Sequence, residues 1–212
     1  MNRRRSDMNR VMITQSLISS WNYAMSAHES VQDEAYTDFL DTLHRKEKAP
    51  SEEMLNGIEF ETEVYRQAKG DPRTPHDRWE SGIRKTADVL KGAPTQIRLS
   101  RPMLLMGLDI LVYGILDALK EGVIYDVKFS NKSFGSADIP GKYLDSPQHP
   151  AYFYLVPEAS AFKYLVSDGT DLYTETYTRK NTRPFEEVAS EFLSFLSEAG
   201  LMDTYTENWT AK

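Results

Sequence analysis

Around residues 92–96 the hydrophobic pattern of the chain changes its period, and no other feature restricts the fold as strongly. Upstream, apolar residues recur at helical spacing. Ser51, Glu52, Glu53 and Met54 read as a helix start, and the pattern runs to about Lys69, where Gly70-Asp71-Pro72 stops it. A further helix is expected over residues 77–90, closed by Gly92 and Pro94. Downstream, residues 96–100, 104–119 and 122–129 are rich in Ile, Leu, Val and Tyr and read as three successive strands. Residues 146–156 form a helix that starts at Ser146-Pro147 or at His149-Pro150. Residues 161–178 are a hairpin around Asp168-Gly169, and residues 184–200 an amphipathic helix. At the front, residues 13–25 read as a short helix bearing Ile13, Leu17, Ile18 and Trp21. Helices, a strand meander, a helix, a hairpin and a helix make an α/β protein with helices packed on a mixed sheet.

With 212 residues the chain has room for one medium domain, expected over residues 11–212 behind a mobile basic arm at residues 1–10. The longest apolar run, residues 103–119, is interrupted by Asp109 and Asp117 and is no membrane span. No apolar signal core follows the arm, so a cytoplasmic location with no membrane partner is expected. Absence of cysteine removes disulfides, thiol nucleophiles and thiolate-bound metals. Any metal must sit on Asp, Glu, His or carbonyl oxygen. Much of the net charge of −7 comes from the acidic residues between Glu186 and Glu207. The rest of the chain is nearly balanced, so a local basic groove for a polyanion is not excluded.

The stretch YGILDALKEGVIYDVKF concentrates the chemistry. If Glu121-Gly122 is a two-residue hairpin turn, Asp117 falls opposite Asp126, with Cβ atoms roughly 4.5–5.5 Å apart. Like charges so placed repel and need compensation. Asp126 and Lys128, two apart, leave the same face of their strand. The register thus gathers two carboxylates and an ammonium amid Ile115 and Ile124. Hard oxygen ligands at this spacing suit Mg²⁺ or Mn²⁺, and a lysine beside them can orient a water or stabilise charge on a phosphate. A one-residue slip would break the arrangement. Glu61 adds an independent observation. On a helical wheel it is surrounded by Met54, Gly57, Ile58, Val64, Tyr65 and Ala68, and a carboxylate on an apolar face needs either an Arg or Lys partner or the same cation. Gln148 and Tyr152 share a face if their helix begins at Ser146. His28, His44, His76 and His149 have no zinc-ligand spacing, and His149 is singled out by its place beside Gln148.

Taken in order, GIEFE at Gly57, GILD at Gly114, YDVK at Tyr125 and QHPAY at Gln148 resemble the RecB-like branch of the PD-(D/E)xK nuclease superfamily, in particular its phage-type single-domain members. The resemblance implies a restriction-endonuclease-like core with extra N-terminal and C-terminal helices. It implies a Mg²⁺- or Mn²⁺-dependent deoxyribonuclease, an exonuclease more than an endonuclease, in phage or bacterial DNA recombination or repair. By this similarity Asp117, Asp126, Glu61 and the carbonyl of Val127 are metal ligands and Lys128 the catalytic lysine. Gln148 and Tyr152 support the site or touch the nucleic acid; Lys132 and Lys142, by position alone, flank the expected site within reach of phosphates or are simply solvated. Asp109 is a competitor for the first ligand. Glu61 stands where many members carry His, and the cluster-binding cysteines of some relatives are missing. DNA is the expected partner, with a second copy of the chain or a recombination protein supplying processivity. The alternative is a non-catalytic DNA-binding or recombination-accessory protein that keeps the fold.

Overall fold

The computed structural model describes residues 10–71, 78–134 and 140–211. Strand β1 (Val11–Thr14) leads directly into helix α1 (Gln15–Ser26), whose N-cap Thr14 accepts the Leu17 N–H. Ile13, expected on the helix, is instead a strand residue beside β3. Helices α2 (Gln32–Leu43), α3 (Glu52–Ala68) and α4 (Glu80–Leu90) follow, with Ser51 capping α3 through the Met54 N–H. Asp77, the expected start of the last of these, lies outside the described residues.

Strands β2 (Thr95–Leu105), β3 (Leu108–Lys120) and β4 (Val123–Phe129) form the predicted meander with one shifted boundary. The first turn lies at Met106-Gly107, both at positive φ, and not near Pro102. Pro102 is tolerated inside β2 because that strand pairs only with β3 and lies at the sheet edge. The second turn is Glu121-Gly122, with φ of 51° and 74°, as in a type I′ hairpin. Helix α5 (Gln148–Leu155), the hairpin β5 (Ala161–Ser167) and β6 (Leu172–Tyr177), and α6 (Phe185–Glu198) complete the expected order. A last helix, α7 (Met202–Asn208), has no counterpart in the sequence reading. It carries Trp209 onto β1, where the Trp209 carbonyl accepts the Met12 N–H at 2.6 Å.

The sheet runs β1-β3-β4-β5-β6, with β2 on β3. It is mixed: β1 with β3 and β4 with β5 are parallel, and the other pairs antiparallel. Helices α3 and α4 cover one part with Phe60, Val64, Ile83 and Leu90 against Val127 and Leu165. The main core, built on α1, α2, α5, α6 and α7, meets Ile110, Leu116, Ile124 and Phe162. The aromatic run from Tyr152 to Tyr164 belongs mostly to this core.

One topological detail matters most. Strand β2 occupies one edge of β3 from residue 108 to 118, so β1 and β4 must share the other edge. They do so with an interval: β1 pairs with residues 110–113 and β4 with residues 118–120. Residues 114–117 therefore face an opening in the sheet, between a strand that leaves and one that arrives.

Candidate active site

A cavity of about 320 Å³ lies at this opening, lined by the end of β1 and start of α1, by Tyr113, Gly114, Ile115 and Asp117, by Asp126, Val127 and Lys128, and by Glu61, Gln148 and Tyr152. Each element contributes for a local reason. The Glu121-Gly122 turn fixes the register, and the pair Ala118 and Tyr125 carries it up to Asp117. There the ladder stops. Asp117 has no strand partner on either side, because Gln96, which would face it from β2, has φ of 55°. The Asp117 side chain takes over the ladder's role, and its Oδ2 accepts the Val127 N–H at 2.9 Å.

The open edge also leaves the Ile115 carbonyl without a strand, and Tyr152 Oη donates to it at 2.6 Å. Helix α5 can approach this closely because residue 114 is glycine: a Cβ there would stand 2.7 Å from Tyr152 Cε1 and 2.9 Å from Leu155 Cδ1. Gln148 and Tyr152 share the α5 face toward the site, since the helix starts at Gln148 and not at His149. The Gln148 side-chain amide donates to Asp126 Oδ1. Both Gln148 and Tyr152 are buried, so they enter the site as supports of Asp126 and of β3.

Asp126 is buried, and Lys128 Nζ lies 2.7 Å from its Oδ2 with a side chain about one-third exposed. The contact has the distance of an ion pair but not hydrogen-bond geometry, so Oδ2 has charge compensation without a directed donor. Glu61 sits at the border of the buried arc of α3, which is anchored by Phe60 and Val64, while Met54 and Ile58 are exposed. Its hydrogen-bond partners are not the Arg or Lys that was one of the two expectations. Tyr65 Oη donates to Glu61 Oε1 at 2.7 Å, and Gln96 Nε2 stands 3.3 Å from the same atom. Sequence reasoning missed Gln96, which only its left-handed backbone brings to the site.

Burial dominates the electrostatics. It raises the pKa of Asp117 well above the ordinary aspartate value, and the neighbouring Asp126 and Glu61 carboxylates push it further. Burial also raises Asp126, against the opposing pull of Lys128 and Gln148, and raises Glu61, against its bond from Tyr65. For Lys128, burial disfavours the ammonium, but the adjacent Asp126 outweighs it and leaves the pKa above that of free lysine. This is a cluster with too much negative charge for its environment.

An all-oxygen donor set with a buried, undirected carboxylate oxygen fits a hard divalent cation in chemistry. Among the described residues, no three acidic or imidazole side chains are gathered into a ligating array. Each carboxylate has a protein donor on one oxygen: Asp126 from Gln148, with Lys128 as its ion-pair partner, Asp117 from the Val127 amide, Glu61 from Tyr65 and Gln96.

The other candidates lie elsewhere. Asp109 forms a partly exposed ion pair with Arg10 at 3.0 Å, outside the cavity, and this contact also fixes the last residue of the expected arm; residues 1–9 lie outside the described residues. Lys132 and Lys142 are exposed and do not line the cavity. His149 is buried, stacked on Tyr177 at 4.1 Å, and burial lowers its pKa to about 4. Asp168 is a turn residue whose carboxylate accepts the amides of Phe134, Thr170 and Asp171.

Fold and sheet topology define an α/β architecture, a six-stranded mixed sheet flanked by helices. The chain shares its fold with LHK-Exo, whose crystal structure was determined in complex with dAMP, at a TM-score of 0.52 and 15% identity over 92% of this chain and 91% of that one. Weaker matches are SSO0001 (TM-score 0.49, 12% identity, 92% of this chain and 78% of that one) and Rai1 of Scheffersomyces stipitis (0.38, 11%, 90% and 62%). No protein-family model and no curated protein matches the sequence. Among the described residues no helix is long and apolar enough to cross a membrane.

Proposed function

We propose that this protein is a Mg²⁺- or Mn²⁺-dependent deoxyribonuclease of the PD-(D/E)xK type, acting as an exonuclease in phage or bacterial DNA recombination or repair. The observation that carries this reading is the meeting of Glu61, Asp117, Asp126 and Lys128 at one cavity, in the opening between β1 and β4. Three carboxylates whose ionised forms are disfavoured by burial and by one another are a costly arrangement unless a cation shares the site.

Asp117, Asp126, Glu61 and the Val127 carbonyl would hold the metal. When bound it supplies Lewis-acid polarisation of the phosphate and a more acidic water. The protein's own groups do the rest. Gln148 fixes one oxygen of Asp126 and leaves the other facing Lys128. Lys128, paired with Asp126 and one-third exposed at the cavity, donates to the attacking water or to a non-bridging phosphate oxygen as charge builds there. Tyr65 and Gln96 hold Glu61 through neutral donors, which orient it without cancelling its charge. DNA is the substrate, and a second copy of the chain or a recombination protein supplies processivity.

The test is hydrolysis of linear single- and double-stranded DNA with Mg²⁺ or Mn²⁺. The wild type is expected to release nucleotides from ends, with Asp126→Ala and Lys128→Ala reduced by at least about a hundredfold. Equal cleavage by all three proteins would overturn the assignment. Metal-independent DNA binding without cleavage would favour an accessory protein that keeps the fold.

A further inference from the structure

Helix α5 separates two cavities. Its Gln148 and Tyr152 face the carboxylate site, while Phe153 and Tyr154 face a second cavity of about 300 Å³ that plays no part in the proposed hydrolysis. Three guanidinium groups stand around this second space, from Arg101 on β2 and from Arg179 and Arg183 between β6 and α6.

None of the three is used up by its present contacts. Arg179 caps the C-terminal end of α5, its Nη2 donating to the carbonyls of Phe153, Val156 and Pro157 at 2.9, 2.8 and 2.6 Å. Arg101 Nη1 donates to the Tyr154 carbonyl at 2.8 Å. These two partners are carbonyl dipoles and not carboxylates, so both charges remain uncompensated by them. Arg183 is paired with Glu191 at 2.5 Å, which takes one nitrogen of its fork. A guanidinium carries five N–H donors, so each arginine keeps donors for a ligand.

Two further features point the same way. The first turn of α6 opens on the cavity, and its N-cap, Pro184, supplies no side-chain hydrogen bond to the leading N–H groups. Thr182 Oγ1, in the wall, is buried without a hydrogen-bond partner among the described residues. Phe153 and Phe185 in the wall are themselves buried, and the Arg179 and Arg101 guanidinium groups lie over the Phe153 and Tyr154 rings at 4.9 and 4.8 Å, so the polar face of the cavity is the face of the arginines.

From this combination we infer that the second cavity binds the phosphate group of a nucleotide, held by Arg101, Arg179 and Arg183. A tetrahedral oxyanion has enough acceptor oxygens for several arginine forks. The nucleotide is either free or one unit of a nucleic acid strand. Glu186 at the rim opposes the anion and sets the sign of a control.

Calorimetric titration of the full chain in EDTA, where no cleavage occurs, tests this independently of nuclease activity. The probes are dAMP and an eight-nucleotide single-stranded DNA. The double variant Arg101→Gln/Arg183→Gln is expected to weaken binding by about tenfold or more. Glu186→Gln should tighten it, and Lys91→Gln, exposed and in the wall of neither cavity, should leave it unchanged. Arg179 is kept because it caps α5. Binding of dAMP identifies a free-nucleotide site, and binding of the oligonucleotide alone a strand-anchoring one; either supports the inference when the arginine variant loses it. Binding of neither probe, undiminished binding by the arginine variant, or an equal loss in Lys91→Gln would overturn it.

Discussion

Asp117→Asn removes one charge from the carboxylate cluster yet keeps a side-chain oxygen to accept the Val127 N–H, so the β3–β4 connection is preserved. Two carboxylates about 5 Å apart at an effective dielectric of about 20 repel by about 3 kcal/mol. Lys128 against Asp126 offsets part of this, leaving a net gain of about 1–2 kcal/mol for the asparagine variant without metal. For a chain of this size each kcal/mol moves the melting temperature by about 2–4 °C. In EDTA at pH 8, Asp117→Asn should therefore melt about 2–8 °C above the wild type. The pH dependence follows from the raised pKa of Asp117. In the wild type the protonated group is tolerated, so its contribution is favourable below the ordinary aspartate pKa and is lost as pH rises through the raised value. The advantage of the variant should accordingly shrink as pH falls toward about 4. Mg²⁺ should raise the wild-type melting temperature and barely move that of Asp117→Asn, which should also lose DNA cleavage. A variant that melts below the wild type in EDTA at pH 8, or that still cleaves DNA, would refute the reasoning.

Gly114→Ala forces a Cβ to within 2.7 Å of Tyr152 Cε1, so α5 must move away from the open strand edge; a loss of about 1–3 kcal/mol in urea unfolding is expected, with cleavage reduced more than stability alone explains. Gln148→Ala leaves Asp126 Oδ1 without its donor, at a cost of about 1–3 kcal/mol, and by raising the Asp126 pKa further should move the acid limb of the pH–activity profile to higher pH. His149, lowered to about 4 by burial, stays neutral in the folded chain. Its contribution to stability is complete above the unfolded histidine pKa of about 6.5 and is lost as pH falls toward 4, by at most about 3 kcal/mol. Chemical unfolding of His149→Phe across this window should show a shallower acid loss than the wild type.

Local signals in the chain were sufficient for much of the architecture. Ser51 ahead of two glutamates, the change of period near residue 95 and the Glu121-Gly122 turn define α3, the meander and the β3–β4 register, because caps and tight turns depend on neighbours in sequence. Since side chains alternate along a strand, that register also brings Asp117, Asp126 and Lys128 together. The strand nature of Ile13 was hidden because β1 is only four residues long and exists through pairing with β3, almost a hundred residues away. The turn at Met106-Gly107 has glycine at its second position but an apolar Met at the first, so by sequence it reads as part of a longer strand.

The chain by itself determined which groups are available: oxygen and nitrogen ligands only, two aspartates and a lysine in one hairpin, and a carboxylate on a helix face. Tertiary structure decided where they act. The opening in the edge of β3 exists only because β1 and β4 share that edge without meeting, and it draws in Tyr152 to satisfy Ile115 and Asp117 to satisfy Val127. Gln96 reaches Glu61, and three arginines from distant segments surround one cavity, through contacts between parts of the chain far apart in sequence. Periodicity reports which way a residue faces along its own element; which groups then meet depends on how the elements pack.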